Sequence, residues 1–319
     1  FFATYNRNKR SIAVDLKRPD GRAVVHRLVS RADIVLENFG PGTIERLGCG
    51  WEDLREINPR LVYLSMKGFL KGPYEHRGAL DEVVQMQSGL AYMTGPPGRP
   101  LRAGAPIIDI LGGVFGVVAA LSALRERDVT GRGQKVASSL FESATFMLGA
   151  IMVGSAFTGG PLPPMPARKN AWGVYDVFSA SDGTQAFIGC TSDNHWQRFC
   201  EEFGFAEWMT DERLATNAKR CDAREWMLPI LEARLKALPL DDILQKCEAA
   251  RIPYARVGRP DQLTDDAHLN AFGGLIQTAV SGMGGGPHVG IPALPVEFGD
   301  MRERLSRWEI GQLLLEWFP

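Results

Sequence analysis

Residues 32–48 read Ala-Asp-Ile-Val-Leu-Glu-Asn-Phe-Gly-Pro-Gly-Thr-Ile-Glu-Arg-Leu-Gly. Asp33–Glu37, with the apolar Ile34-Val35-Leu36 at its centre, is of strand length and predicts a buried strand. Pro41 then stands at the first turn of a helix that Gly48 closes, the usual placement of proline inside the start and glycine past the end. The same alternation continues outward in both directions. Ser11–Leu16 reads as a short strand and Pro19-Asp20-Gly21 opens a helix to about Ser30. Trp51–Ile57 is a short helix closed by Asn58-Pro59, Leu61–Met66 a strand, and Ala79–Tyr92 a helix. A long apolar helix starts at Ile107, a turn lies at Thr130-Gly131-Arg132-Gly133, Lys135–Ser139 is a strand, and a helix runs from Leu140 to about Phe157. Strands alternating with helices predict a parallel α/β sheet.

The composition changes at Gly159-Gly160-Pro161-Leu162-Pro163-Pro164-Met165-Pro166, which reads as a linker. Beyond it, Trp172–Ser179 and Gln185–Cys190 flank Ser181-Asp182-Gly183, a hairpin signal. Helical segments follow from Asn194 to about Ala250, and Ile252–Val257 reads as a strand. The predicted organisation is a large α/β domain over 1–158, a smaller α+β domain over 159–270, and a C-terminal return to the large domain over 271–319, around Ile291–Val296.

The 319 residues suffice for two domains and a sizeable core. The 45% hydrophobic and 23% charged content is that of a globular protein. A formal net charge of −1 exerts no general pull on nucleic acid or an anionic membrane, so neither is expected as a partner. An anionic ligand must be held by a local cluster. The five cysteines form no CxxC and no His pair has zinc-ligand spacing, so no metal is expected. Free thiols and a cytoplasmic setting fit that pattern. The chain opens Phe-Phe-Ala-Thr-Tyr with neither an initiator Met nor a signal-peptide pattern, and is expected to begin inside a fold with an N-terminal segment missing.

Asp109 stands at the head of the run Ile107–Leu124, where only it and Ser122 are neither apolar nor glycine. The run approaches membrane-span length, but Asp109, three glycines and the lack of a second such segment favour a buried core helix. Gly112, Gly113 and Gly116 would let another helix or a ligand approach closely. The carboxylate is either a helix-capping group in the first turn or a nucleophile.

Asn6-Arg7-Asn8-Lys9-Arg10, with Lys17 and Arg18 beyond, is either a phosphate-binding cluster or a solvated basic face. Glu37–Gly42 leaves the C-terminal end of a strand, where open α/β sheets bind ligands. Phe39 is either a platform for an adenine ring or a core residue of a tight turn. No GxGxxG follows a strand, and no GxxxxGK[ST] or GxSxG is present, against dinucleotide, P-loop and α/β-hydrolase readings. Gly282-Met283-Gly284-Gly285-Gly286 reads as a flexible loop. His76, His195, His268 and His288 have no catalytic partner in sequence and read as structural or surface residues.

Six ordered segments carry a resemblance: 6–22 (NRNKRSIAVDLKRPDGR), 32–48, 58–69 (NPRLVYLSMKGF), 80–90 (LDEVVQMQSGL), 104–113 (GAPIIDILGG) and 123–136 (ALRERDVTGRGQKV). Together they resemble the class III CoA-transferase family (CaiB/BaiF type), with the 2-methylacyl-CoA racemases as relatives. The resemblance implies a Rossmann-like large domain, a small domain and an interlocked homodimer. It implies coenzyme A, as acyl-CoA substrate, with neither metal nor ATP. It makes Asp109 the catalytic aspartate, passing through a mixed anhydride and an aspartyl-CoA thioester. It places Val14, Lys17, Asn38, Phe39 and Arg46 in the CoA site, and Arg77 where the family's later basic contact falls near Gly78.

Three departures stand out. Leu80 occupies the position of the racemases' histidine, which removes the second base from a racemase or epimerase reading. The stretch 164–172 lacks the glycine-rich loop of formyl-CoA transferases. The family's opening strand and loop are absent, which keeps a non-catalytic CoA-binding subunit as a third reading; the retained Asp109 opposes it. Residues 72–104 look most like enzymes of branched dicarboxylates such as mesaconyl-CoA C1–C4 CoA transferase. Arg99 and Arg102 there would hold a distal carboxylate, against the alternative of an exposed loop. The expected activity is CoA transfer between carboxylic acids, with a small dicarboxylate such as mesaconate or succinate as substrate.

Overall fold

The computed structural model describes residues 2–6, 9–168, 171–271, 273–279, 288–293 and 295. Arg7, Asn8, Gly282–Gly286, Leu294 and Val296 of the segments singled out above lie outside the described residues. The chain divides into two compact units, one spanning 12–168 and the other formed from the described residues on either side of it. In chain order the helices and strands begin with α1 (Phe2–Tyr5), which belongs to the second unit.

The unit 12–168 holds α2 (Pro19–Val29), β1 (Ile34–Glu37), α3 (Thr43–Arg46), α4 (Trp51–Ile57), β2 (Val62–Lys67), α5 (Asp81–Ser88), α6 (Leu90–Thr94), α7 (Ile107–Thr130), β3 (Lys135–Ser139), α8 (Leu140–Met147) and α9 (Gly149–Thr158). The strands form a parallel sheet in the order β1-β2-β3, with Leu36, Leu64 and Val136 in line across it. The central strand β2 is the apolar one, and Val62, Tyr63 and Leu64 are all buried. Parallel strands need helical crossovers, and α4 and then α5 to α7 supply them.

Three expectations change. Ser11–Leu16 is not a strand: residues 11–15 carry no regular structure, pair with nothing in the sheet and are exposed. β1 is an edge strand rather than a buried one, and Leu36 is exposed. The helices read as continuous over 79–92 and 140–157 are each broken. Gly89 takes a left-handed φ of 89° between α5 and α6, and α8 and α9 meet at 55° around Leu148.

Helix α7 lies across β2 and β3. A Cβ at Gly116 would sit 2.9 Å from Met66 Sδ and 3.3 Å from Leu64 Cδ2. The hydroxyl of Ser138 donates to the Gly112 carbonyl at 2.8 Å. The close approach expected at the three glycines is made at Gly116 by strand side chains and at Gly112 by Leu140 of α8, 3.2 Å from where its Cβ would stand, while Gly113 faces open space. The expectation of a buried helix holds for one face only. Val114, Val117, Val118 and Leu121 are exposed, as are Phe146, Met152 and Phe157 on α8 and α9. Among the described residues α7 is the one helix long and apolar enough to cross a membrane, or one of two if the bent α8–α9 pair counts as a span.

The second unit continues with β4 (Tyr175–Ser179) and β5 (Gln185–Gly189), a hairpin turned at Gly183. Helices α10 (Asp193–Phe203), α11 (Asn217–Asp222), α12 (Arg224–Leu235) and α13 (Leu240–Ala249) lead to β6 (Tyr254–Arg256), antiparallel to β5. Helix α14 (Ala267–Ala271) and the antiparallel pair β7 (Leu275–Ala279) and β8 (His288–Pro292) follow. Its core is aromatic: Phe205 stacks on Trp208 at 4.0 Å and Trp208 on Trp196 at 5.8 Å.

The seat of α7 is testable with two glycines. Gly116→Leu is expected to lower unfolding stability by about 1–3 kcal/mol through overpacking against Met66 and Leu64. Gly113 faces open space, so Gly113→Ala should raise stability by about 0.5–1 kcal/mol. Urea unfolding of the two variants checks both signs.

Candidate active site

The turn after β1 is shaped by a buried carboxylate. Glu37 accepts the Phe39 N–H at 2.9 Å, the Lys67 ammonium at 3.0 Å, and the Ser65 hydroxyl. A charge so buried persists only with such partners, and these three hold the turn in place. Asn38 and Phe39 are thereby presented on the surface. Phe39 is 41% exposed, so it is not a core residue of the turn. Arg46, at the end of α3, is exposed and donates from Nη2 to Thr43 Oγ1 at 2.9 Å.

A cavity of about 500 Å³ adjoins this turn, lined among others by Gly42, Ser65, Lys67, Lys71, His76 and Lys135. Its charged lining is mixed: Lys67 is paired with Glu37, and Glu45 and Glu75 stand with Lys71 and Lys135 around the same cavity, which leaves the last two ammonium groups as its candidate anion contacts. The sequence reading missed Lys67 and Lys135. Their strand positions are visible in sequence; their convergence depends on β2 and β3 being neighbours.

Val14 and Lys17 lie on the exposed segment ahead of α2. Lys17 N–H donates to Asp15 Oδ1 at 2.9 Å, and Arg22 Nη1 donates to the carbonyls of Leu16 and Lys17 at 3.3 and 3.2 Å. His26 Nε2 lies 2.9 Å from the Gly48 carbonyl, so α2 braces this segment on one side and the end of α3 on the other. Arg77 is exposed, with its guanidinium 4.8 Å from the centre of the Tyr74 ring. Arg102 pairs with Glu82 at the start of α5, and Arg99 has no ion-pair partner among the described residues. The structure thus sets Asn38 and Phe39 on the turn after β1, Arg46 at the end of the helix that follows it, and Arg102 beside α5. It records no contact of Val14, Lys17 or Arg77 with any of these.

Asp109 occupies the first turn of α7. Its carboxylate is exposed in the single chain and has no hydrogen-bond or ion-pair partner among the described residues. Its backbone N–H donates to Asp81 Oδ2 at 3.2 Å, as does that of Ile108 at 2.8 Å. Partial burial, then the neighbouring charges of Asp81 and Glu82, push the Asp109 carboxyl above the ordinary carboxylate range. A carboxylate left free of donors and raised in basicity is suited to attack an electrophilic carbonyl. Asp81 is not among the candidate site residues read from sequence; there it serves only to mark Leu80 as the position of the racemases' histidine. Among the described residues no group of three His, Cys, Asp or Glu side chains is placed to hold a metal ion.

A parallel α/β unit with an unpartnered first-turn aspartate and a lysine-lined cavity beside a strand-end turn suits acyl transfer on an anionic carrier. The family model for CoA-transferase family III matches residues 1–309, and the chain belongs to that family. It is 31% identical over 278 residues to succinyl-CoA–D-citramalate CoA-transferase of Chloroflexus aurantiacus, covering 85% of this chain and 68% of the relative. It is 36% identical over 258 residues to acetyl-CoA:oxalate CoA-transferase of Acetobacter aceti, covering 79% of this chain and 66% of the relative. The fold matches the crystal structure of a CAIB/BAIF family protein from Brucella suis with a TM-score of 0.79 at 30% identity, over 95% of this chain and 83% of that one. The chain spans between 57% and 70% of the length of the curated relatives it matches.

The raised pKa of Asp109 has a consequence for stability. The folded chain binds this proton more tightly than the unfolded chain, so ionisation costs stability once the pH exceeds the unfolded value of 3.8. Asp109→Asn is therefore expected to melt higher than the parent at about pH 7, with the gain vanishing as the pH falls toward 3.8. Scanning calorimetry across that range checks the sign.

Proposed function

We propose that the protein moves CoA between two carboxylic acids, with Asp109 as the nucleophile. The carrying observation is the carboxylate itself: it is exposed, unpartnered and raised in basicity, while its backbone is fixed by Asp81. An Asp109 oxygen attacks the thioester carbonyl of the donor, and the C–S bond breaks to release CoA thiolate and leave a mixed anhydride. The thiolate attacks the aspartyl carbonyl, releasing the donor acid and leaving an aspartyl-CoA thioester. The acceptor carboxylate attacks that thioester, and the thiolate it frees takes the acceptor acyl group, which restores Asp109. Each step exchanges one acyl bond for another, so no external energy source is needed.

CoA is assigned to the unit 12–168, to Val14, Lys17, Asn38, Phe39, Arg46 and Arg77, with its nucleotide end on Lys17, Asn38, Phe39 and Arg46. The support is the exposed turn held by Glu37 beside the lysine-lined cavity. A homodimer is the proposed assembly, supported by the apolar face that α7, α8 and α9 leave exposed. The racemase reading lacks a second base, because Leu80 stands beside Asp81. A cytoplasmic setting is supported by five free thiols.

The complete protein should transfer CoA from succinyl-CoA, and Asp109→Ala should abolish turnover while leaving CoA binding by calorimetry within about twofold, since it removes chemistry rather than phosphate contacts. Hydroxylamine added during turnover should mark Asp109 in a peptide map. Transfer at the parent rate in the alanine variant overturns the assignment.

The substrate class is proposed to be a small dicarboxylate, mesaconate-like or succinate-like, with Arg99 or Arg102 on its distal carboxylate. The names of the two relatives above, which pair CoA with citramalate and oxalate, support this. Arg102 lies beside Glu82, one of the charges that acts on Asp109. Arg99→Ala and Arg102→Ala should be assayed with succinyl-CoA and butyryl-CoA. Loss of one charged contact should lower kcat/KM for succinyl-CoA by about tenfold or more, with butyryl-CoA little changed. Equal effects on both donors would exclude this role.

A further inference from the structure

We infer that Asp81 is a positioning residue for the reaction: it takes the free N–H groups at the start of α7 and so fixes the backbone that carries Asp109 while leaving its carboxylate without donors. This rests on the proposed role of Asp109 as nucleophile.

The first turn of a helix offers free N–H groups and a positive dipole end. A carboxylate in that turn would ordinarily be stabilised by them, which lowers its reactivity. Here another carboxylate takes them. Asp81 is 4% exposed and opens α5. Its Oδ2 accepts from Ile108 N–H at 2.8 Å and Asp109 N–H at 3.2 Å. Its Oδ1 accepts from Gln85 Nε2, one turn along α5. Gln85 is fully buried, and its Oε1 accepts the Ala103 N–H at 2.9 Å. Asp81 and Gln85 therefore fasten both the loop that enters α7 and the turn that carries Asp109. Ile108, packed with Val84 and Ala144, anchors the same turn from the apolar side.

Two effects follow from this arrangement. The Asp109 backbone is held by a bond to its own N–H, so the point from which the side chain projects is fixed. The negative charge of Asp81 also disfavours extra charge on Asp109, in the same direction as burial. Glu82, beside Asp81, adds to this and is itself paired with Arg102. The other charged groups on the elements packed against α7 are engaged elsewhere. Glu142 of α8 accepts from Leu70 N–H and Ser139, and Lys67 of β2 pairs with Glu37. Lys135 stands at the opposite end of β3 from α8.

Asp81→Asn keeps an oxygen for the two N–H groups and removes the charge. Asp81→Ala removes both. In the complete protein, assayed with succinyl-CoA as donor, Asp81→Asn should move the acid limb of the pH–kcat profile downward, with KM unchanged. Asp81→Ala should lower kcat by about 100-fold, the scale of a small misplacement of a reacting group. Gln85→Glu, which puts a second acid against Asp81, should reduce kcat without altering CoA affinity. Far-UV circular dichroism and melting curves establish that each variant is folded. An Asp81→Asn enzyme with the parent kcat and an unmoved acid limb overturns the inference. So does failure of both Asp81 variants to fold, which would make the residue a structural clamp only. Retained transfer in Asp109→Ala would instead overturn the reading of Asp109 itself, so the two failures are told apart.

Discussion

Helix α7 seated on the parallel sheet is the contact on which the unit 12–168 depends. Gly116 admits the ends of the Met66 and Leu64 side chains, which would have to shift for a Cβ there, and Ser138 ties the helix to β3 through the Gly112 carbonyl. Dense packing makes such a seat stiff. The first turn of the helix is therefore placed with respect to the strands, and Asp109 with it. The same glycines that would weaken an isolated helix allow this one to carry a charged group to a defined position.

Two buried carboxylates then shape the two parts of the site, by different physics. Glu37 is balanced by a true countercharge, Lys67, and lends its remaining capacity to the turn that presents Asn38 and Phe39. Asp81 has backbone N–H groups and an amide as its hydrogen-bonding partners. The helix end stabilises Asp81 while Asp81 screens that end from Asp109. One carboxylate is buried and satisfied; the next along the path is exposed and unsatisfied. On that contrast rest the roles proposed for the two acids.

The two units spend their apolar residues differently. The second unit closes around stacked aromatics, and burial pushes the thiols of Cys200 and Cys247 up to about 12. At neutral pH these buried thiols stay protonated and pack as small apolar groups. The unit 12–168 instead leaves Val117, Leu121, Phe146 and Phe157 exposed. An exposed apolar area of that extent is uncommon on a lone soluble chain and is the usual mark of a surface that meets another.

Much of this protein is legible in its sequence. The βα unit at 32–48, the strand Val62–Lys67, the helix from Ile107 and the hairpin around Gly183 follow from local periodicity, proline and glycine placement. Asp109 stands out because a single acid in an apolar run requires a reason. The breaks at Gly89 and Leu148 were not legible, since apolar periodicity continues across both. Ser11–Leu16 has the composition of a strand, yet a strand exists only where a partner offers its ladder. Tertiary structure alone decided that Asp81, 28 residues before Asp109, would accept that residue's N–H. It alone brought Lys67, Lys71 and Lys135 around one cavity. A residue's type and spacing fix what it can donate or accept; only the packing of α5 against α7, and of β2 beside β3, fixes which groups come within reach.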